Sequence, residues 1–258
     1  MKNTITLPRV APISAVLLTF LTACSHNGDS PAPSTPTTSY KGSVTLFDEF
    51  GNKVSDKSGV IISVVDQPNA TATTDATGAF SLAVPQGTRR LNFSKPGYGT
   101  YLSSALTVES APIVAAQSVA LGQVSSTYLT YIRSWEKINY GDYYRFMGRI
   151  NAPSTATQVR SHRIFYALAK DVSPTNYKAT SLFNGSLPDT GGNSSWYWVS
   201  DSVSRATITG LNAGPADKVY AVVYGDNPAA ATYADPVSGR TIYPAVSVQK
   251  ADAFECVR

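Results

Sequence analysis

The chain has 258 residues, of which 15% are charged and 43% hydrophobic, with a formal net charge of +4. Without Lys2 and Arg9, 19 basic side chains face 17 acidic ones, an excess too small and scattered to recruit a nucleic acid. Two cysteines exclude a disulfide framework, and 2 histidines leave little for metal or acid–base chemistry.

The first element is an export signal. Lys2 and Arg9 supply a positive start, Val10 to Leu21 is largely apolar, and Thr22-Ala23 adds small residues. The apolar part is too short to cross the roughly 30 Å hydrocarbon core of a bilayer as a helix. Leu21-Thr22-Ala23-Cys24 resembles a bacterial lipobox, which implies cleavage before Cys24 and a diacylglycerol on its sulfur. That resemblance implies palmitate-type acylation, a membrane partner through the lipid, and, with Ser25 rather than Asp after the cysteine, sorting to the outer membrane. Removing 23 residues from 258 leaves 235, enough for two domains with a core each.

Residues 25–39 contain three prolines and no large apolar side chain, so they cannot bury enough surface to offset their ordering entropy. A flexible spacer is expected over 24–39. From Tyr40 the pattern turns to alternation, with Val44 and Leu46 in one run and Val60–Val65 continuous enough for a buried strand. Thr74-Asp75-Ala76-Thr77-Gly78 reads as a hairpin turn, because Asp accepts backbone N–H groups and Gly takes positive φ. Phe80, Leu82 and Val84 alternate out of it. Leu91 and Phe93 follow, and Lys95-Pro96-Gly97-Tyr98 closes the strand.

Gly42-x-Val44, Thr74-Asp75-x-x-Gly78-x-Phe80-x-Leu82, Val84-Pro85-x-Gly87 and Leu91-x-Phe93-x-Lys95-Pro96-Gly97-Tyr98 together resemble the carboxypeptidase regulatory-like domain. The resemblance covers 40–122. It implies a transthyretin-like β-sandwich without activity of its own, from a group that includes carbohydrate-binding-like folds.

Residues 123–127 read as a joint to a second domain at 123–258, which holds twelve of the fifteen tyrosines and all three tryptophans. Strands are expected at 143–150, 162–170, 196–200, 206–208, 219–224 and 245–250, separated by Pro, Gly, Asn and Asp. Ile208-x-Gly210-Leu211-Asn212-Ala213-Gly214 followed by Val219–Tyr224 is similar to the fibronectin type III motif, although Tyr220 lies two residues farther from Leu211 than the usual tyrosine corner. The fold class expected is therefore all-β, two tandem β-sandwiches after a signal peptide and spacer.

Catalytic chemistry finds few candidates. His26 lies in the spacer, His162 has neither H-E-x-x-H nor G-x-S-x-G context, and the four glutamates are dispersed. No catalytic residue, metal ligand or cofactor is expected. Candidate ligand-binding residues are Trp196, Tyr197 and Trp198, where a period of two puts the two indoles on one face of a strand, available to sugars or to the core. Tyr140, Tyr143 and Tyr144 are a weaker group. The expectation is a non-catalytic envelope lipoprotein that binds a protein partner, with carbohydrate binding through the Trp196/Trp198 face as the alternative.

Overall fold

The computed structural model describes residues 36–115, 118–137, 143–152, 158–184, 187–188, 197–214 and 217–256. Residues 35–258 form one compact unit.

The first sandwich follows from alternation. Its strands are β1 (Thr37–Phe47), β2 (Ile61–Val64), β3 (Gln67–Thr73), β4 (Ala79–Pro85), β5 (Gly87–Arg89), β6 (Leu91–Ser94), β7 (Tyr101–Leu102), β8 (Leu106–Val108), β9 (Ile113–Val114) and β10 (Val119–Gly122). One sheet runs β10-β1-β4 with β9 also on β1, and the other runs β3-β2-β6-β7. Val44, Leu46, Leu82, Val84 and Leu121 from the first pack against Ile62, Val64, Leu91 and Phe93 from the second, all fully buried. This is one contiguous apolar core of the kind that drives folding at about 25 cal/mol per Å² removed from water.

Two details differ from the expectations. The Asp75 turn forms as read, with Asp75 Oδ1 accepting from the backbone N–H groups of Thr77 and Ala79 at 2.8 and 3.0 Å and Gly78 at φ 89°. It is not a hairpin turn, however: β3 pairs with β2 and β4 pairs with β1, so the turn carries the chain from one sheet to the other. The run Val60–Val65 is also not buried throughout, since Ile61 and Val65 are 45% and 52% exposed while Val60, Ile62 and Val64 are buried. A short apolar run does not by itself reveal which face meets solvent.

The second sandwich comprises β11 (Leu129–Lys137), β12 (Tyr143–Ile150), β13 (Ser161–Ala167), β14 (Ala179–Asn184), β15 (Leu187–Pro188), β16 (Tyr197–Ser204), α1 (Arg205–Thr209), β17 (Val219–Asp226), β18 (Tyr233–Ala234), β19 (Thr241–Ile242) and β20 (Phe254–Cys256). One sheet runs β11-β12-β16-β15 and the other β14-β13-β17-β20. Phe146, Ile150, Ile164, Tyr166 and Val223 meet between them. β13 is buried at every position because its alternate residues Phe165 and Ala167 enter another cluster with Val222 and Tyr224 on the sheet's opposite face. Tyr177 and Tyr243 both pack edge-on against Phe165 there.

Residues 206–208 are helical rather than extended. Ser204 Oγ accepts from the Ala206 N–H at 3.2 Å, capping a short helix whose Ile208 enters the core. Residues 245–250 form no strand either, making only a single bridge from Lys250 to Tyr224. In their place, β18 and β19 form a small antiparallel arm.

Candidate functional site

A large opening among the described residues lies where the two sheets of the second sandwich part. β11 pairs with β12 alone among the described strands, so it is the edge strand of its sheet among them. Beside that edge runs the segment 249–254, and between them lies a groove of about 750 Å³ lined by 128–132 on one side and 249–254 on the other. It adjoins a recess of about 440 Å³ reaching Ser126, Asn151 and Val248. An edge strand of this kind is what an added strand would pair with.

Rigid contacts hold the groove mouth. Asn151 accepts from the Tyr128 N–H through Oδ1 and donates through Nδ2 to the Ser126 carbonyl, both at 3.0 Å. The Ser126 N–H in turn donates to Glu49 Oε2 of the first sandwich at 2.8 Å. On the opposite wall Ser247 Oγ accepts from the Gly225 N–H at 2.9 Å and donates to the Gln249 carbonyl at 2.7 Å. Behind the groove Phe254 stacks on Phe146 at 5.7 Å and meets Trp135 at 6.0 Å.

Tyr131 is 54% exposed on this edge, and the strand register extends from it across the sheet. Tyr131 pairs with Arg149, Arg149 with Trp198, and Trp198 with Leu187, so four strands contribute one cross-strand row. With neighbouring strands about 4.8 Å apart, positions 131 and 198 are separated by about 10 Å.

Cys24 and Trp196 lie outside the described residues, as do the side chains of Tyr197 and Trp198. The backbone places Tyr197 and Trp198 at the start of β16, opposite Pro188 and Leu187. Tyr140 is likewise outside. Tyr144 is no surface candidate: it is buried and stacks on Trp135 at 5.4 Å.

His162 sits in β13 between Phe183 and Gly225 in register, its ring stacked on Phe183 at 5.3 Å. Burial pulls its imidazole down to about 3, so it is neutral at physiological pH and shut off from solvent. Cys256 is buried too, and burial, with Glu255 adding to it, pushes its thiol up to about 12. Both groups are packing residues rather than reactive ones. No cluster of three metal-binding side chains occurs among the described residues.

The groove leaves little trace in the sequence because β11 breaks the period of two. Its pairing with β12 slips between Leu129 and Tyr131 and again between Ile132 and Ser134. The surviving signal was Tyr131 itself, an aromatic residue in a run with no core partner.

No family model and no curated protein matches the chain. Among solved structures it is similar to a DUF3823 family protein from Parabacteroides merdae, at 11% identity over 87% of this chain and 100% of that one, with a TM-score of 0.30. It is also similar to a "putative carbohydrate binding protein" from Bacteroides uniformis, at 13% identity over 86% of this chain and 100% of that one, with a TM-score of 0.29. A chain of a type II cohesin–X-dockerin complex from Acetivibrio cellulolyticus matches at 21% identity and a TM-score of 0.27 over 33% of this chain, which spans 56% of that chain's length. Scores this low carry no argument about function. The all-β fold with its sandwiches rests on the sheet pairing above.

Proposed function

We propose that this chain is a non-catalytic binding module of the bacterial envelope, tethered by lipid on Cys24 and held off the lipid surface by its spacer to meet a protein partner. In this reading the first sandwich is a carboxypeptidase regulatory-like domain, and the second takes an extended segment of the partner along β11. The observation that carries it is the groove of about 750 Å³ beside the edge strand β11. Backbone pairing would give affinity there, and side chains such as Tyr131 would give selectivity. Support for the non-catalytic part comes from His162, the only histidine outside the spacer, being buried and neutral.

The test is retention of envelope proteins by the immobilised full chain. One saturably bound protein, lost with Tyr131→Arg and kept with Val237→Arg at a position 94% exposed on the β18–β19 arm, is expected. Equal retention by both variants would count against the groove.

A second reading, carbohydrate binding, is favoured by the row that joins Tyr131, Arg149 and Trp198. Two aromatic positions about 10 Å apart suit stacking on alternate units of an extended glycan. Saturable binding to a polysaccharide, abolished by both Tyr131→Ala and Trp198→Ala, would replace the protein partner with this ligand.

A further inference from the structure

We propose that the two sandwiches act as one rigid body, latched by Asn227 and by the arm that carries β18 and β19. Tandem domains joined by a short linker ordinarily move against each other unless their interface is extensive. Here the interface is built at several independent points.

Asn227 is 1% exposed, and its amide nitrogen reaches across the junction while its amide oxygen is held within its own segment. Nδ2 donates to the Asp48 carbonyl at 2.7 Å and to the Gln123 carbonyl at 3.0 Å, while Oδ1 accepts from the Ala229 N–H at 3.2 Å. A buried amide with these bonds made is strongly tied to one arrangement, because parting the surfaces breaks both Nδ2 bonds together. Gly122 admits the amide: a Cβ there would stand 2.6 Å from Asn227 Nδ2.

The arm extends the contact. The Ala231 N–H donates to the Ala120 carbonyl on β10 at 2.9 Å, and the Tyr233 ring meets Tyr101 of the first sandwich edge-on at 5.9 Å. Pro244, just past the arm, packs so close to Gly99 that a Cβ on Gly99 would be 2.7 Å from its backbone. From the other side Arg160 lies over the Phe50 ring at 5.2 Å. Beneath the latch, Arg163 is bonded to Asp226 at 2.7 Å and covers Tyr243 at 3.8 Å, which fixes both ends of the 226–243 segment.

One consequence is that the groove mouth belongs to both sandwiches, since Glu49 holds Ser126 only while the latch is closed. Glu49 is thus a positioning residue for the groove.

The test is amide hydrogen exchange on the full chain. Two N–H groups report the junction, Ala231 donating to Ala120 and Ser125 donating to Ala245. In the wild type they are expected to exchange within about tenfold of the core amides of Leu82 and Val223, as one cooperative unit. Exchange about a hundredfold faster than the cores would mean that the sandwiches part freely, and would overturn the proposal. Asn227→Asp keeps the shape and removes the donor, and it is expected to expose these two amides while sparing the cores. Unchanged protection in that variant would overturn Asn227's role, and the wild-type comparison stands even if the variant does not fold.

Discussion

Asn227, at the end of β17, donates its side-chain amide to the main-chain carbonyl of Asp48, 179 residues earlier in the chain, at 2.7 Å. Asp48 in turn shapes its own turn, its Oδ1 accepting from the Phe50 and Asn52 N–H groups at 3.0 and 2.8 Å. The same residue thus shapes a loop of the first sandwich and bonds it to the second.

Gly122→Val would drive a branched side chain into Asn227 and into Ala230, whose Cβ would be 2.9 Å from the new Cβ. Overpacking of this kind costs about 1–3 kcal/mol. An unfolding free energy lowered by that amount in a urea titration is expected, with Gly97→Ala as comparison at a site open on all sides though held at φ 80°.

His162 makes the fold acid-sensitive. Its pKa falls from 6.5 to about 3 on folding, so the unfolded chain takes up a proton that the folded chain refuses. Its contribution is present in full above pH 6.5 and is lost as pH falls toward 3, at about 1.4 kcal/mol per pH unit. His162→Gln is expected to flatten the decline in unfolding free energy between pH 6.5 and 4.5. An equally steep decline in the variant would assign the acid sensitivity to other groups.

Cys256 pairs with Val219 inside the core, its thiol held protonated by burial. The folded protein is expected to resist iodoacetamide at pH 8 and to react at the rate of a free thiol once unfolded in urea. Rapid labelling of the native chain at Cys256 would place that end of β20 in solvent.

Cys24 carries the tether in this account. Metabolic labelling with a palmitate analogue is expected to mark the wild-type chain and to leave Cys24→Ser unmarked and released from the membrane fraction. Labelling that persists in the variant would refute lipidation at this residue.

Much of the first sandwich was legible because its strands obey simple alternation. Phe80, Leu82 and Val84 enter the core as the period of two requires, and the Lys95–Tyr98 turn closes with the Tyr98 N–H on the Lys95 carbonyl at 3.0 Å and Gly97 at φ 80°. What alternation cannot supply is pairing, which is why the Asp75 turn was read as a hairpin. In the second sandwich, 143–150 is a strand with the expected bounds, while 206–208 looks like a strand in sequence because Thr207 and Ile208 suit either state. The Ser204 cap decided it. The groove and the latch depend on contacts spanning more than a hundred residues, Asn227 to Gln123 and to Asp48 among them, and no local pattern reports those.

The most direct test is photo-crosslinking in living cells from a benzophenone amino acid placed at position 131, with position 237 as the exposed control. The account predicts one discrete adduct with an envelope protein from position 131, absent from position 237 and competed by an excess of unlabelled chain. No adduct from position 131, or the same adducts from both positions, would contradict the claim that the β11 groove is where this protein meets its partner.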